Sequence, residues 1–146
     1  MGSKRIILIA IAITVAFICL GIIGVRTFVH AVYTERGCDW SNIDNIEMHA
    51  RIDIPSIEGC DCDYTVENNV KRAVFTLDKD TDMTAYATQQ KLVFVKPPFA
   101  AEFSEMPGFA ANKPLLVREG KNYDSDYRVA LDAPARKMWV YIRYKN

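Results

Sequence analysis

The sequence predicts an α+β protein in which one N-terminal transmembrane helix precedes a small antiparallel β-sheet domain with one packed helix. An apolar run of 20 residues without charge or proline occupies positions 6–25. Segments of alternating apolar and polar residues follow it, and one segment with helical spacing lies among them. With 146 residues and 50% hydrophobic residues, the chain is large enough for one packed domain.

The apolar run has the length of a membrane-spanning helix, because about 20 helical residues cross a hydrocarbon layer of ~30 Å. Lys4 and Arg5 precede it and a stretch of mixed charge follows it, which favours an N-terminus inside the cell and a domain outside the cytoplasm, while Arg26 and Arg36 reduce this asymmetry. The alternative is a signal peptide cleaved after Ala31. We favour the anchor, since the apolar region of a signal peptide usually has about 7–15 residues.

The predicted organisation is therefore a cytoplasmic tip at 1–5, a transmembrane helix at 6–25, a juxtamembrane connector at 26–40 and an extracytoplasmic domain at 41–146. Over the whole chain, the charges of 18 basic and 18 acidic residues cancel, so no overall electric field favours nucleic acid as a partner. Positions 35–67 hold nine acidic and two basic residues. This acidic stretch predicts contact with a basic partner.

Three of the four cysteines lie outside the apolar run, which contains Cys19. In an extracytoplasmic domain we expect Cys38 to bond with either Cys60 or Cys62, stabilising the fold by roughly 3 kcal/mol. A bond between Cys60 and Cys62 would close a tight ring and is disfavoured. An alternative is a metal site of Cys38, His49, Cys60 and Cys62, although paired zinc ligands usually have at least two residues between them.

The first predicted strand covers residues 46–54, where Ile46, Met48, Ala50, Ile52 and Ile54 alternate with polar residues before Pro55. This pattern places His49 on a solvated face. An acidic turn follows.

A second strand is predicted at residues 70–77, with Ala73, Phe75 and Leu77 on one side. The period then changes, and a helix is predicted at residues 82–91 with Thr81 or Asp82 as its cap. An apolar stretch at 92–95 ends before two prolines.

Residues 96–114 form an irregular loop that contains Phe99, Phe103 and Phe109. A brief strand is predicted at 115–117, and a hairpin pairs strands at 127–131 and 137–144, which gives four or five strands. Alternation in the last strand predicts that Trp139 and Tyr141 are exposed beside cations. We favour the alternative, in which the helix at 82–91 covers this face and the cations lie at its rim.

Nucleophile-elbow, zinc-protease and phosphate-loop motifs are absent from the sequence, so we expect neither an enzyme nor a cofactor. A hydrolase of unrecognised geometry stays a third alternative. Exposed aromatic residues beside cations are typical of protein interfaces, and long irregular loops often have functions. The candidate partner-binding residues are Asp61, Asp63, Glu67, Trp139, Tyr141, Phe99, Phe103 and Phe109.

These observations predict a membrane-anchored, non-enzymatic interaction domain whose partner is another envelope protein. It would be an accessory subunit of a membrane complex or an immunity-type protein. The lack of an Asn-x-Ser/Thr sequon is more typical of a bacterial than a eukaryotic surface protein. The alternative is a sensor domain that binds a small ligand or a metal.

Overall fold

The computed structural model describes residues 3–34, 38 and 40–145. The chain divides into two compact units, Met1–Tyr33 and Thr34–Asn146. Helix α1, Ser3–Thr34, contains the described residues of the first unit, and its last residue, Thr34, belongs to the second. Its segment Ile9–Val29 is long and apolar enough to cross a membrane. Residues 26–34 of the predicted connector continue this helix, and residues 35–37 and 39 lie outside the described residues.

The second unit confirms the α+β class, with one antiparallel sheet of six strands in the order β1-β2-β6-β5-β4-β3. The predicted number of strands was too low. The elements that follow α1 are α2 Trp40–Ala50, β1 Ile57–Thr65, a 3-10 turn Val66–Asn68, β2 Val70–Leu77, α3 Met83–Gln89, β3 Val93–Val95, α4 Ala101–Ser104, β4 Leu115–Lys121, β5 Ser125–Asp132 and β6 Lys137–Tyr144.

The predicted strand at 46–54 is wrong, because residues up to Ala50 belong to helix α2 and the first strand begins only at Ile57. The buried positions of α2 are Asn42, Asn45, Ile46, His49 and Ala50, which follow the helical spacing of three and four residues. Three of these five side chains are polar and give no hydrophobic signal. The apolar residues Ile46, Met48 and Ala50 therefore alternate as in a strand, although Met48 is exposed.

The prediction that His49 lies on a solvated face is also wrong, because this residue is only 6% exposed. The acidic segment that was predicted as a turn forms most of β1. Its burial pattern shows one buried residue, Cys62, and such an edge strand gives little hydrophobic signal in the sequence.

The predictions for the remaining elements are closer. Strand β2 buries Ala73, Phe75 and Leu77 on one side, as predicted. Asp82 caps α3 by accepting hydrogen bonds from the backbone N–H groups of Thr84 and Ala85 at 3.0 Å each. Strand β6 has the predicted bounds, and β4 is longer than predicted.

The two faces of the sheet are covered differently. We call the face that packs against α2 and α3 the helix face, where Ile46, Ala50, Tyr86 and Ala87 form a core with the inward residues of four strands. We call the opposite side the loop face, where Phe103 and Met106 pack with Leu115, Ala130 and Trp139. Helix α4 and its flanking loop thus cover only part of the loop face.

Candidate functional site

The disulfide joins Cys38 to Cys62, with 5.6 Å between the Cα atoms and a sequence separation of 24. This confirms the predicted pairing of Cys38 with one of the two later cysteines. Cys60 is an exposed free thiol whose Sγ lies 3.8 Å from the backbone oxygen of Cys38. The pKa of the Cys60 thiol is raised overall. Burial is the largest cause, the hydrogen bond to Cys38 opposes it, and the charge of Asp61 adds to it.

The candidate metal ligands do not form one site. Cys38 and Cys62 are bonded to each other, and His49 instead contacts Asp124, with 3.3 Å between Nε2 and Oδ2. Its Nδ1 lies 2.7 Å from the backbone oxygen of Asn45. In the described part of the chain, no group of three or more His, Cys, Asp or Glu side chains could hold a metal ion.

The expected exposure of Trp139 and Tyr141 is wrong. Trp139 is 1% exposed and Tyr141 is 4% exposed. The alternative covering element is also wrong, because α3 packs on the helix face, where the Tyr86 hydroxyl contacts Met138. The loop after α4 covers Trp139 instead, and the indole Nε1 donates a 3.0 Å hydrogen bond to the backbone oxygen of Pro107.

The aromatic residues of the irregular loop form this cover. Phe103 is 1% exposed, and its ring stacks on Phe109 with 5.0 Å between centroids. Phe109 meets Phe99 and Trp139 edge to face at 5.5 Å and 5.2 Å. These residues, predicted as a contact surface, instead pack as a small core with partly buried edges.

Beyond this cover, a line of polar residues crosses the loop face. Cross-strand pairing places Asp63, Arg72, Tyr141, Arg128 and Glu119 side by side on five neighbouring strands. Because neighbouring partners in a sheet point to the same face, all five side chains belong to the loop face. We call these five residues the charged row.

Two arginines enclose the tyrosine of the charged row. The guanidinium carbons of Arg72 and Arg143 lie 5.9 Å and 5.7 Å from the centre of the Tyr141 ring. Arg143 Nη2 also donates a 2.9 Å hydrogen bond to the Tyr141 hydroxyl. These cation–π contacts contribute to the burial of the Tyr141 ring.

Carboxylates from α4 and from the loop after it complete the surface. Arg128 forms ion pairs with Glu102 and Glu119, and Arg72 Nη2 lies 3.0 Å from Glu105 Oε2. The pKa of the Glu102 carboxyl is lowered, mainly by a hydrogen bond from its own backbone N–H. Burial opposes this shift, and the charges of Arg128 and Arg143 add to it. Although burial opposes it, pairing with Glu102 and Glu119 raises the pKa of Arg128.

Two clefts lie along the charged row. One of about 330 Å³ is lined by residues that include Lys121, Asp126, Arg128, Tyr141 and Arg143. The other, of about 400 Å³, is lined by residues that include Asp61, Asp63, Arg72, Glu105 and Pro107. Both are shallow depressions in a surface of mixed charge.

The fold therefore places seven of the eight predicted partner-binding residues on the loop face: Asp61, Asp63 and Tyr141 in or beside the charged row, and Trp139, Phe99, Phe103 and Phe109 in the packed cover. Glu67 is exposed in the 3-10 turn after β1. Sequence reasoning missed Arg72 and Arg128. Each alternates with buried strand residues, so their shared face could be recognised only from the pairing of β2, β6 and β5.

Searches against protein-family models, curated proteins and solved structures find no match for this chain.

Proposed function

We propose that this chain is a membrane-anchored, non-enzymatic interaction domain that binds another envelope protein of a bacterial cell through the charged row. The single observation behind the proposal is the line of Asp63, Arg72, Arg128 and Glu119, which stay at least partly exposed on either side of the buried Tyr141. Arg and Tyr are the residue types that most often dominate protein interfaces. A surface with both signs of charge selects partners by complementarity.

The position of the charges indicates what such a partner presents. The acidic end of the row, near Asp61 and Asp63, suits basic groups. The exposed Arg143, beside the centre of the row, suits acidic or aromatic groups. A tether in the membrane would raise the effective concentration of the domain near a partner in the same membrane.

The Cys38–Cys62 disulfide supports a location outside the cytoplasm, because disulfides persist in oxidising compartments. Helix α1 supports the anchor by its length and apolar composition. An accessory subunit of an envelope complex and an immunity-type protein that blocks a toxin would both use this arrangement.

The test is a pull-down of the full-length protein from its native membrane in mild detergent, with mass spectrometry of the co-purifying proteins. Two variants change exposed charges in the clefts along the charged row, Asp61→Lys and Arg143→Glu. Two matched controls, Asp80→Lys and Lys79→Glu, make the same changes at exposed positions in the turn before α3.

We expect a stoichiometric partner with the wild type and both controls, and at least a tenfold loss with each site variant, which corresponds to about 1.4 kcal/mol. The same partner in all five samples would show that the charged row is not the binding surface.

A small-ligand sensor is the second candidate, because the cleft of about 330 Å³ beside Arg143 has a volume within the usual range of ligand sites. A wild-type sample without any partner would favour this reading.

A further inference from the structure

The outer edge of the sheet at β3 is a second surface, which adjoins the charged row only at Glu119. Strand β3 pairs with β4 only through residues Val93–Val95, opposite Leu115, Leu116 and Val117. No other strand among the described residues pairs with its outer side, where the order of the sheet ends. The backbone N–H and C=O groups on that side are available to another extended chain.

Large apolar side chains are exposed at this edge. Outside α1, the described residues include four exposed large hydrophobic side chains, Met48, Val93, Phe94 and Tyr123. Two of the four are neighbours on β3, and each is 65% exposed. Single exposed apolar residues are ordinary. These two lie on an unpaired strand edge, where an added strand would bring its own side chains beside both of them.

An apolar groove of about 510 Å³ lies on the loop face beside β3. Its apolar walls are formed by Val93 and Val95 from the edge strand, Val117 from β4, and Phe99 and Phe103 from the irregular loop, and its charged lining residues are Lys91, Arg118 and Glu119. Phe94 points to the opposite face, because its cross-strand partner Leu116 packs with the core of the helix face. The edge therefore offers apolar contacts on both faces.

We propose that β3 receives an extended segment of a partner protein as a seventh strand, with one apolar side chain in this groove and the next one beside Phe94. In this mode the backbone hydrogen bonds provide affinity, and alternate side chains provide specificity. The groove shares Glu119 with the charged row, but the contacts proposed here are with the β3 backbone and apolar side chains, so the inference does not depend on the proposed function of that row.

The charged residues beside β3 indicate which residues the partner segment carries at its ends. Lys91 and Lys96 are exposed and flank the apolar residues of β3. A segment with acidic residues at its ends complements both lysines. A second copy of this chain lacks this complementarity, because it carries the same two lysines and no acidic residue at its β3 edge.

The test uses full-length protein in lipid nanodiscs and a phage-displayed library of short random peptides as the probe. We expect enrichment of peptides in which apolar residues alternate and Asp or Glu stands at the ends. The variant with Lys91→Glu and Lys96→Glu changes only exposed charges, so it should fold, and we expect its selected peptides to have basic ends instead.

Two further variants make the result specific. Phe94→Asp should reduce binding of the selected peptides at least tenfold, whereas Met48→Asp, the matched change at an exposed residue of α2, should leave it unchanged. Arg143→Glu should also leave it unchanged, which separates this site from the charged row.

Failure to enrich any peptide family would overturn the proposal, as would a consensus that is the same with the lysine and the glutamate variants. The proposal would also be wrong if Phe94, replaced by a photo-crosslinking residue in native membranes, reacted only with lipid or with a second copy of the chain.

Discussion

Polar side chains fix helix α2 to the sheet at individual contacts. The ammonium group of Lys71, a residue that is 1% exposed, donates to the Asn42 side-chain oxygen. The Tyr144 hydroxyl donates a 2.7 Å hydrogen bond to Asn45 Oδ1, and the Asn122 amide donates to the His49 backbone oxygen. Because buried polar groups are costly without partners, these contacts specify how α2 sits on the helix face.

Gly120 is required by its neighbour on β5. A Cβ atom at this position would lie 2.6 Å from the Tyr127 hydroxyl oxygen and 2.7 Å from its Cζ atom. Tyr127 is only 6% exposed, so its ring has little room to move. We predict that Gly120→Ala lowers the free energy of unfolding by about 1–3 kcal/mol, as measured by urea denaturation of the detergent-solubilised chain.

Gly59→Ala is the control for that prediction. Gly59 also lies in a strand, but a Cβ atom there meets nothing within 4 Å. Its substitution should leave the stability unchanged or raise it slightly, because glycine in a strand costs conformational entropy. Equal destabilisation by both substitutions would show that the Tyr127 ring is not the cause.

At the scale of elements, the disulfide links the segment before α2 to the edge strand β1. Removing the bond frees a loop with a sequence separation of 24. We predict that Cys38→Ser destabilises the domain by roughly 3 kcal/mol. Reductant should lower the urea midpoint of the wild type to that of Cys38→Ser.

Cys60→Ser is the matched control, because Cys60 is a free thiol, and its stability should equal that of the wild type. If Cys38→Ser and Cys60→Ser gave the same midpoint, the bond between Cys38 and Cys62 would not stabilise the domain.

Helix α4 contributes a pH-dependent contact through Glu102. The pKa of this carboxyl lies below its ordinary value of 4.5 in the folded chain. The stabilisation is therefore complete above that ordinary value and is lost as the pH falls through the lower folded value. We predict that Glu102→Gln costs about 1 kcal/mol at neutral pH and reduces the loss of stability on acidification.

Urea unfolding at a series of pH values from neutral to acidic checks this, with Glu58→Gln at an exposed position of β1 as the control. An unchanged acid dependence in Glu102→Gln would mean that other carboxyls determine it.

At the scale of the whole molecule, the location of the domain can be tested through one cysteine. Cys60 is exposed, while Cys38 and Cys62 are bonded and Cys19 lies in the apolar segment of α1. If the domain lies outside the cytoplasm, a membrane-impermeant maleimide added to spheroplasts should label the wild type but not Cys60→Ser. Labelling should be faster at mildly alkaline pH, because burial raises the pKa of the Cys60 thiol.

Labelling of Cys60 only after the membrane is permeabilised would place the domain in the cytoplasm. That result would reverse the predicted orientation and remove the support that the disulfide gives to an envelope partner.

The sequence by itself determined the apolar helix, strands β2, β5 and β6, and the short capped helix α3. In each of these, local signals agree: the uncharged run, the period of two between turn residues, or Asp82 before a helical period. It also limited the disulfide to two pairings. Such features depend on neighbours in the chain and can be recognised without a fold.

Only the tertiary structure decided the identity of α2, the cover over Trp139 and the composition of the charged row. The inner face of α2 is polar because Asn42 meets Lys71 and His49 meets Asp124, which are distant in the chain. The charged row exists because strand pairing brings Arg72 and Arg128 to either side of Tyr141. Contacts between residues so far apart leave no periodic signal in either segment, and sequence reasoning therefore could not recognise them.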